Sequence, residues 1–470
     1  MEDSVYRFRS VENLIGEYQE LEKQQIYFAG FDELNDPLEG TRLYFWQGDK
    51  IVWVNLLKHY ILCLEHVVLL SRLLNDNETI SKKDIPIYKS MNSLPTEIYK
   101  ERIQKIYNQF FNDKFVQDYI NFIVKNPNKI YLEEMYVHLK ILSGIALNSI
   151  FEIDIQSGLL ANIEKVHHKV VQRNIDLDWD NIWEELDEKQ YIQIMKVIHD
   201  TLKSWDSELL LKFKNSPKQQ SIYIEFTQMY LDSVVQLTYP RAYVACFMDN
   251  CLDSSIWGTY GKNHTGVCLK FRTNTIKPKL ILKGISGWSS SSGNIYDYRE
   301  FDLKPIEYST SFEELDFFRN LGCLPIPQLK EQWYTNDQGE LSVCCEEIFL
   351  QEEEWRKQYW NICERAYLKK LPDWSHEREY RIILNNVLGF YDNPKDRLLE
   401  YKFEDLEAII FGMKTLQKAK IEIIEIVKRK CEEFGINQFD FYEMEYSTIK
   451  KELYPRKLLS LNKNNLKVED

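Results

Sequence analysis

Residues 373–384 read DWSHEREYRIIL, and the rest of the chain is organised around this stretch. It follows a long charged helix expected over residues 341–368, sets Glu377 and Glu379 two residues apart, and then runs into an apolar strand. In a strand alternate side chains share a face, so Glu377, Glu379 and Arg381 are expected to project from one side while Tyr380, Ile382 and Leu384 pack on the other. Two readings of that charged row stay open. It is an exposed edge strand whose Glu379 and Arg381 pair only with each other, an arrangement worth little energy, or it is part of a functional site.

The chain of 470 residues is long enough for two or three cores. With 44% hydrophobic and 14% aromatic residues it has the composition of a globular protein. The net charge of −14 argues against a general nucleic-acid surface, although a local basic patch is compatible with it. Nine cysteines include the adjacent pair Cys344 and Cys345 but no C-x-x-C, which fits reduced thiols in a cytosol better than a zinc site or a disulfide framework. The opening ten residues are polar and charged, unlike a secretory leader. The most apolar window, residues 51–74, is interrupted by Lys58, His59, Glu65, His66 and Arg72, so it reads as a buried helix rather than a membrane span. The expectation is a cytoplasmic protein.

Strand signals cluster at the two ends of the chain. Val5, Tyr6 and Phe8 flank Arg7 and Arg9, which share a face; Ser10 caps a helix expected through Tyr18, and residues 25–28 read as a second strand. The NDPLEG turn follows, with Asn35, Asp36, Pro37 and Glu39. Residues 51–237 are helical almost throughout by their three-to-four-residue apolar spacing, and their Tyr-rich faces read as core. His167 and His168 are adjacent, cannot face the same way on a helix, and read as a solvated pair. Residues 242–247 return to strand. Ser254, Ser255, Trp257 and Tyr260 then occupy a short helical turn before a strand over 266–271, with Gly258, Gly261 and Gly266 bending the backbone. His264 fits a surface or a catalytic role equally. The Gly/Ser-rich segment 284–294, centred on Trp288, reads as a lid or a linker. A buried strand ending at Gly412, a helix over 415–434 and an alternating strand over 439–446 complete the pattern, and the tail after Tyr454 is expected to fray. The expected fold is α+β: a mixed-sheet core from residues 1–50 and 238–446, a helical insertion over 51–237, and a C-terminal tail over 447–470.

The segments YRFRS, IYFAGFDELNDPLEG, VACF with SIWGTYGKNHTGVCLKF, WSHEREYRII and LEAIIFG occur in the order found in the bacterial family catalogued as domain of unknown function 2971. The chain resembles that family over roughly residues 1–48 and 238–445. The family's layout in turn resembles the ADP-ribosyltransferase fold, which implies NAD as substrate. On that resemblance Arg7 or Arg9 would hold the pyrophosphate or ribose. Trp257 and Tyr260 would stack on nicotinamide or adenine, and Ser255 would orient the ribose. Glu379 would stabilise the oxocarbenium-like cation formed as nicotinamide leaves, and Glu377 would activate the acceptor. The expected activity is ADP-ribose transfer to a macromolecule, or NAD cleavage, in a toxin or phage-defence effector whose helical insertion binds a regulatory protein. Two alternatives stand beside it. One is a nuclease with Asp36, Glu39, Glu377 and Glu379 as magnesium ligands. The other is a non-catalytic sensor of a nucleotide or protein. Neither a Walker loop nor a G-x-G-x-x-G fingerprint is present in the sequence.

Overall fold

The computed structural model describes residues 4–75, 78–160, 187–273, 277–291 and 293–462; His167 and His168 lie outside them. The fold is α+β, in two compact units. The first comprises Met1–Thr41, Arg241–Phe312 and Glu364–Asp470, and the second Arg42–Pro240 and Glu313–Cys363. Residues 313–363 therefore cluster with the helical unit, although their sequence position placed them in the sheet core. The cause is strand pairing: Glu314–Asp316 lies parallel to Leu43–Trp46, which also pairs with Ile130–Tyr131.

The first unit is built on a nine-stranded mixed sheet. Its strands are β1 (Ser4–Arg9), β2 (Ala29–Gly30), β3 (Ala242–Met248), β4 (Val267–Arg272), β5 (Lys304–Pro305), β6 (Glu379–Asn385), β7 (Leu406–Phe411), β8 (Gln438–Ser447) and β9 (Glu452–Asn462). The order across the sheet is β5-β6-β3-β1-β4-β7-β8-β9, with β2 also paired to β3. Strands from both ends of the chain thus lie side by side: Tyr6 of β1 and Glu379 of β6 are both registered with Met248 of β3. One face carries Val5, Phe247, Phe271, Ile382, Leu384 and Ile409 and packs on Ile423 and Val427 of the helix Gln417–Phe434. The other carries Tyr6, Phe8, Met248 and Ile410 around Ile256 and Trp257 of the helix Ser254–Thr259. Alternation along each strand is what assigns these residues to opposite faces.

Several local expectations are corrected. The segment 284–294 is neither lid nor linker; it is the turn region of a hairpin between Lys279–Ser289 and Gly293–Asp302, because alternation continues on both sides of a turn closed by Gly293 at φ +72°. The tail does not fray at Tyr454, since β9 pairs antiparallel with β8 from Glu452 to Asn462. The first helix ends at Ile15, where Gly16 closes it, rather than at Tyr18. The charged helix before the key stretch is broken at Gln351 into Glu346–Leu350 and Glu352–Tyr367.

In the helical unit, Lys50–Leu73 is the described helix long and apolar enough to cross a membrane, but 78% of its most apolar window is buried within the protein. Val52, Leu56, Tyr60, Leu64 and Val67 join one core with Ile106, Phe110, Leu142, Phe226 and Tyr230.

Candidate functional site

The charged row is not on an exposed edge. β6 is flanked by β3 and β5, and Glu377, Glu379 and Arg381 are 0%, 2% and 0% exposed. Glu377 is also not part of the strand. It ends a 3-10 turn over Pro372–Glu377, and Arg378 in the left-handed region (φ +46°, ψ 50°) swings the chain into β6. That conformation is unfavourable for a residue with a side chain. It leaves Glu377 and Glu379 on the same ammonium group, which a continuous strand would not require.

That group is Lys370, from a two-residue strand paired with Glu307–Tyr308. Its Nζ lies 2.7 Å from Glu377, 3.0 Å from Glu39 and 3.2 Å from Glu379. Arg381 donates through Nε to Glu379 (2.6 Å) and through Nη1 to the Tyr367 carbonyl (3.1 Å), and its Nη2 meets Glu39. The Tyr260 hydroxyl donates to Glu377 (2.8 Å), and the Glu379 backbone N–H donates to the Tyr308 hydroxyl (2.8 Å). Three buried carboxylates therefore share two buried cations, a formal surplus of one negative charge.

The two glutamates are pushed in opposite directions. Burial alone would raise the pKa of Glu379, but Arg381 and Lys370 outweigh it and hold the carboxyl well below its usual range. Burial raises Glu377, Lys370 opposes this incompletely, and the like charge of Glu379 pushes it further up. The pair thus separates into an ionised group and a proton-accepting one, the division that acid–base sites exploit. Burial lifts Tyr308 to about 12, so it stays protonated at neutral pH.

Beside this cluster lies a crevice of about 190 Å³, lined by Arg7, Arg9, Tyr27, Glu39, Tyr260, Lys370, Glu379 and Arg381 among others. Arg7 reaches it where β1 and β3 splay. It donates to the carbonyls of Tyr27 (2.9 Å) and Cys246 (3.2 Å), and burial, helped by Arg9, lowers its pKa to about 10. Arg9 is paired with Glu20. Gly266 lets β4 pass β1 closely, since a Cβ there would stand 2.7 Å from the Arg9 carbonyl oxygen.

Arg7, Arg9, Tyr260 and Glu379 are therefore brought to one crevice, with Glu377 behind Tyr260. Trp257 and Ser255 are not. The Trp257 ring is 0% exposed, edge-on to Phe8 at 4.9 Å, stacked on His264 at 6.3 Å, and its N–H donates to the Cys251 carbonyl (2.7 Å). It is a core residue with no face left for a ligand. Ser255 is exposed and bonds Asp253 at the start of its own helix (2.6 Å). His264 packs on Trp257 and does not line the crevice. Of the magnesium-ligand set, Glu39, Glu377 and Glu379 converge, but on Lys370 and Arg381, which take up their oxygens. Asp36 instead accepts from Leu38 N–H in its own turn (2.9 Å). Among the described residues no His, Cys, Asp and Glu group is arranged to hold a metal ion.

Sequence reasoning missed Lys370 and Tyr308. Neither carries a local signal, because each joins the site through a parallel pairing of two-residue strands. Glu39 entered only as a metal ligand; its partners prove to be cations 331 and 342 residues away.

No curated protein and no solved structure matches the chain. The family match covers less than the resemblance read from the sequence: it takes in Tyr260, Lys370, Glu377, Glu379 and Arg381 and leaves out Arg7, Arg9 and Glu39. Residues 256–382 match the model of the family described as protein of unknown function (DUF2971).

Proposed function

We propose that the crevice of the first unit takes the ribosyl-phosphate part of NAD, and that the protein is an ADP-ribosyltransferase-like enzyme or NAD glycohydrolase. The observation that carries this reading is the meeting of the Arg7 and Arg9 guanidinium groups of β1 with the Glu379 carboxylate of β6 in one crevice of a single unit. At about 190 Å³ the space is smaller than the pockets that enclose whole ligands of this size. It suits one end of the substrate, with the remainder lying outside.

In this scheme the N–H groups of Arg7 and Arg9 not taken up by the Tyr27 and Cys246 carbonyls and by Glu20 donate to phosphate oxygens. When the bond between the ribose anomeric carbon and nicotinamide nitrogen breaks, its electron pair leaves with nicotinamide. The cationic sugar then faces a cluster with one uncompensated negative charge, an arrangement that stabilises charge developing in the transition state. Water or a macromolecular acceptor adds to the anomeric carbon. Its proton passes through the Tyr260 hydroxyl to Glu377, whose raised pKa suits it to receive one. Loss of cellular NAD would give such a protein the effect of a toxin or antiviral effector.

One observation favours a second reading. Both oxygens of Glu379 are already bonded by Arg381 and Lys370, as expected of a charge cluster that shapes a nucleotide-sensing pocket without turnover. Incubating the full chain with NAD and measuring free nicotinamide separates them. Release, unaffected by a chelator, supports the enzyme. Saturable NAD binding without release supports the sensor, and neither binding nor release refutes both.

A further inference from the structure

The helical unit holds a larger cavity, about 610 Å³, that the site above does not use. One wall is the helix Lys50–Leu73, contributing Lys58, His59 and Leu62. The opposite wall is the segment around Trp333. Asn55 fixes that segment by donating to the carbonyls of Trp333 and Thr335, both at 3.0 Å. The floor is neutral and largely apolar. His59 is saturated by the Tyr230 hydroxyl (2.8 Å) and the Ile87 carbonyl (2.9 Å), and burial lowers its pKa to about 4, so it is uncharged at neutral pH. Trp333 packs on it at 5.1 Å between ring centroids.

The charges at this cavity are unequally satisfied. Lys58 is paired with Asp337 (2.6 Å), and Glu331 accepts from Asn92. Lys89 is different. Its ammonium touches His66 Nδ1 (3.2 Å) and the Tyr99 hydroxyl (3.1 Å), and among the described residues it has no carboxylate in direct contact. Glu65 reaches it only through the Tyr99 hydroxyl and is itself bonded to Arg102. Burial correspondingly lowers the pKa of Lys89, with Glu65 opposing this only in part. A half-buried cation without a direct counter-ion, at the edge of a cavity in the size range of ligand sites, calls for an anion supplied from outside.

We propose that this cavity binds a small organic anion, an aromatic or apolar body carrying one carboxylate, sulfonate or phosphate group, with Lys89 as its counter-ion. The body lies over Leu62, Tyr107 and Trp333, and the exposed Lys330 at the rim adds to the attraction that guides the anion in.

The test uses the full chain and 1-anilinonaphthalene-8-sulfonate, an aromatic anion that fluoresces on leaving water. Titration should saturate at one probe per chain. Lys89→Met should weaken binding by about ten-fold or more, the loss of one charge-assisted contact. Asn92→Trp changes an exposed residue at the mouth and should block entry to a similar extent, with only a small change in melting temperature from the lost exposed hydrogen bond to Glu331. Because this variant leaves the core untouched, it decides the matter if Lys89→Met does not fold. Binding that never saturates, that is absent, or that survives unchanged in the folded variants would overturn the proposal.

Discussion

Replacing Glu379 with Gln should cost far more stability than replacing Glu377 with Gln, although the two residues are neighbours on the same lysine. Glu379 accepts from Arg381 Nε at 2.6 Å and from Lys370 Nζ at 3.2 Å, and with Glu39 it is one of the two carboxylates that both cations share. Neutralising it leaves Arg381 with Glu39 alone in a fully buried place. Removing one partner of a buried ion pair typically costs about 3–5 kcal/mol. Glu377 meets one cation, Lys370, and the Tyr260 hydroxyl. A Gln oxygen accepts from either, and the protein raises the pKa of Glu377, so its charge is the less stabilised of the two and the expected cost is about 1 kcal/mol or less. For a domain of this size the melting temperature should fall by roughly 6–20 °C for Glu379→Gln and by only a few degrees for Glu377→Gln. Thermal and urea denaturation at neutral pH, followed by tryptophan fluorescence and circular dichroism, read both variants. Equal losses, or a larger one for Glu377→Gln, would refute the assignment of charge within the cluster.

The same opposition predicts a pH signature. Glu379, with its pKa lowered by folding, contributes stability that is present above the ordinary value of 4.5 and lost as pH falls through its folded pKa. Glu377, with its pKa raised, contributes stability that is complete below 4.5 and lost as pH rises through its folded pKa. The wild type should therefore lose ground to Glu377→Gln as pH rises above 4.5, measured by urea midpoints; a constant difference would contradict the shift. Trp257→Ala should cost about 3–5 kcal/mol as a core truncation, whereas Ser255→Ala should change stability by about 0.5 kcal/mol or less; both are read by denaturation. Ending the chain at Ser447 removes β9 and bares the β8 edge, so the truncated protein should melt lower and self-associate on size exclusion. A monomer of unchanged stability would show that β9 adds nothing.

The strands were legible where the apolar pattern is strong. Residues 242–247 and 382–384 are unbroken apolar runs and 439–446 alternate, and all lie in the nine-stranded sheet. The pairing of the two ends followed from the separation of strand signals, because a sheet needs neighbours and the middle of the chain offers few. Two kinds of feature were hidden. Trp257 is a ligand platform only by the resemblance to the ADP-ribosyltransferase layout, and its tertiary packing on Phe8 and His264 shows otherwise. Lys370 sits in an unremarkable LKKLP run, and its role depends on the turn at Arg378 that aims Glu377 and Glu379 at one point. Spacing alone put three charges on a strand face. It did not indicate that the face is buried, which follows from Lys370, Glu39 and the Tyr367 carbonyl packing against Glu379 and Arg381.

The central claim is that the crevice between β1 and β6 receives a ribosyl phosphate. A crystal structure of the full chain grown with ADP-ribose tests it most directly. The account predicts density for a ribose and at least one phosphate within hydrogen-bonding distance of Arg7 or Arg9, with the sugar facing Glu379 and Tyr260. Ordered ADP-ribose bound elsewhere, with Arg7 still held by the Tyr27 and Cys246 carbonyls and no ligand beside it, would contradict it.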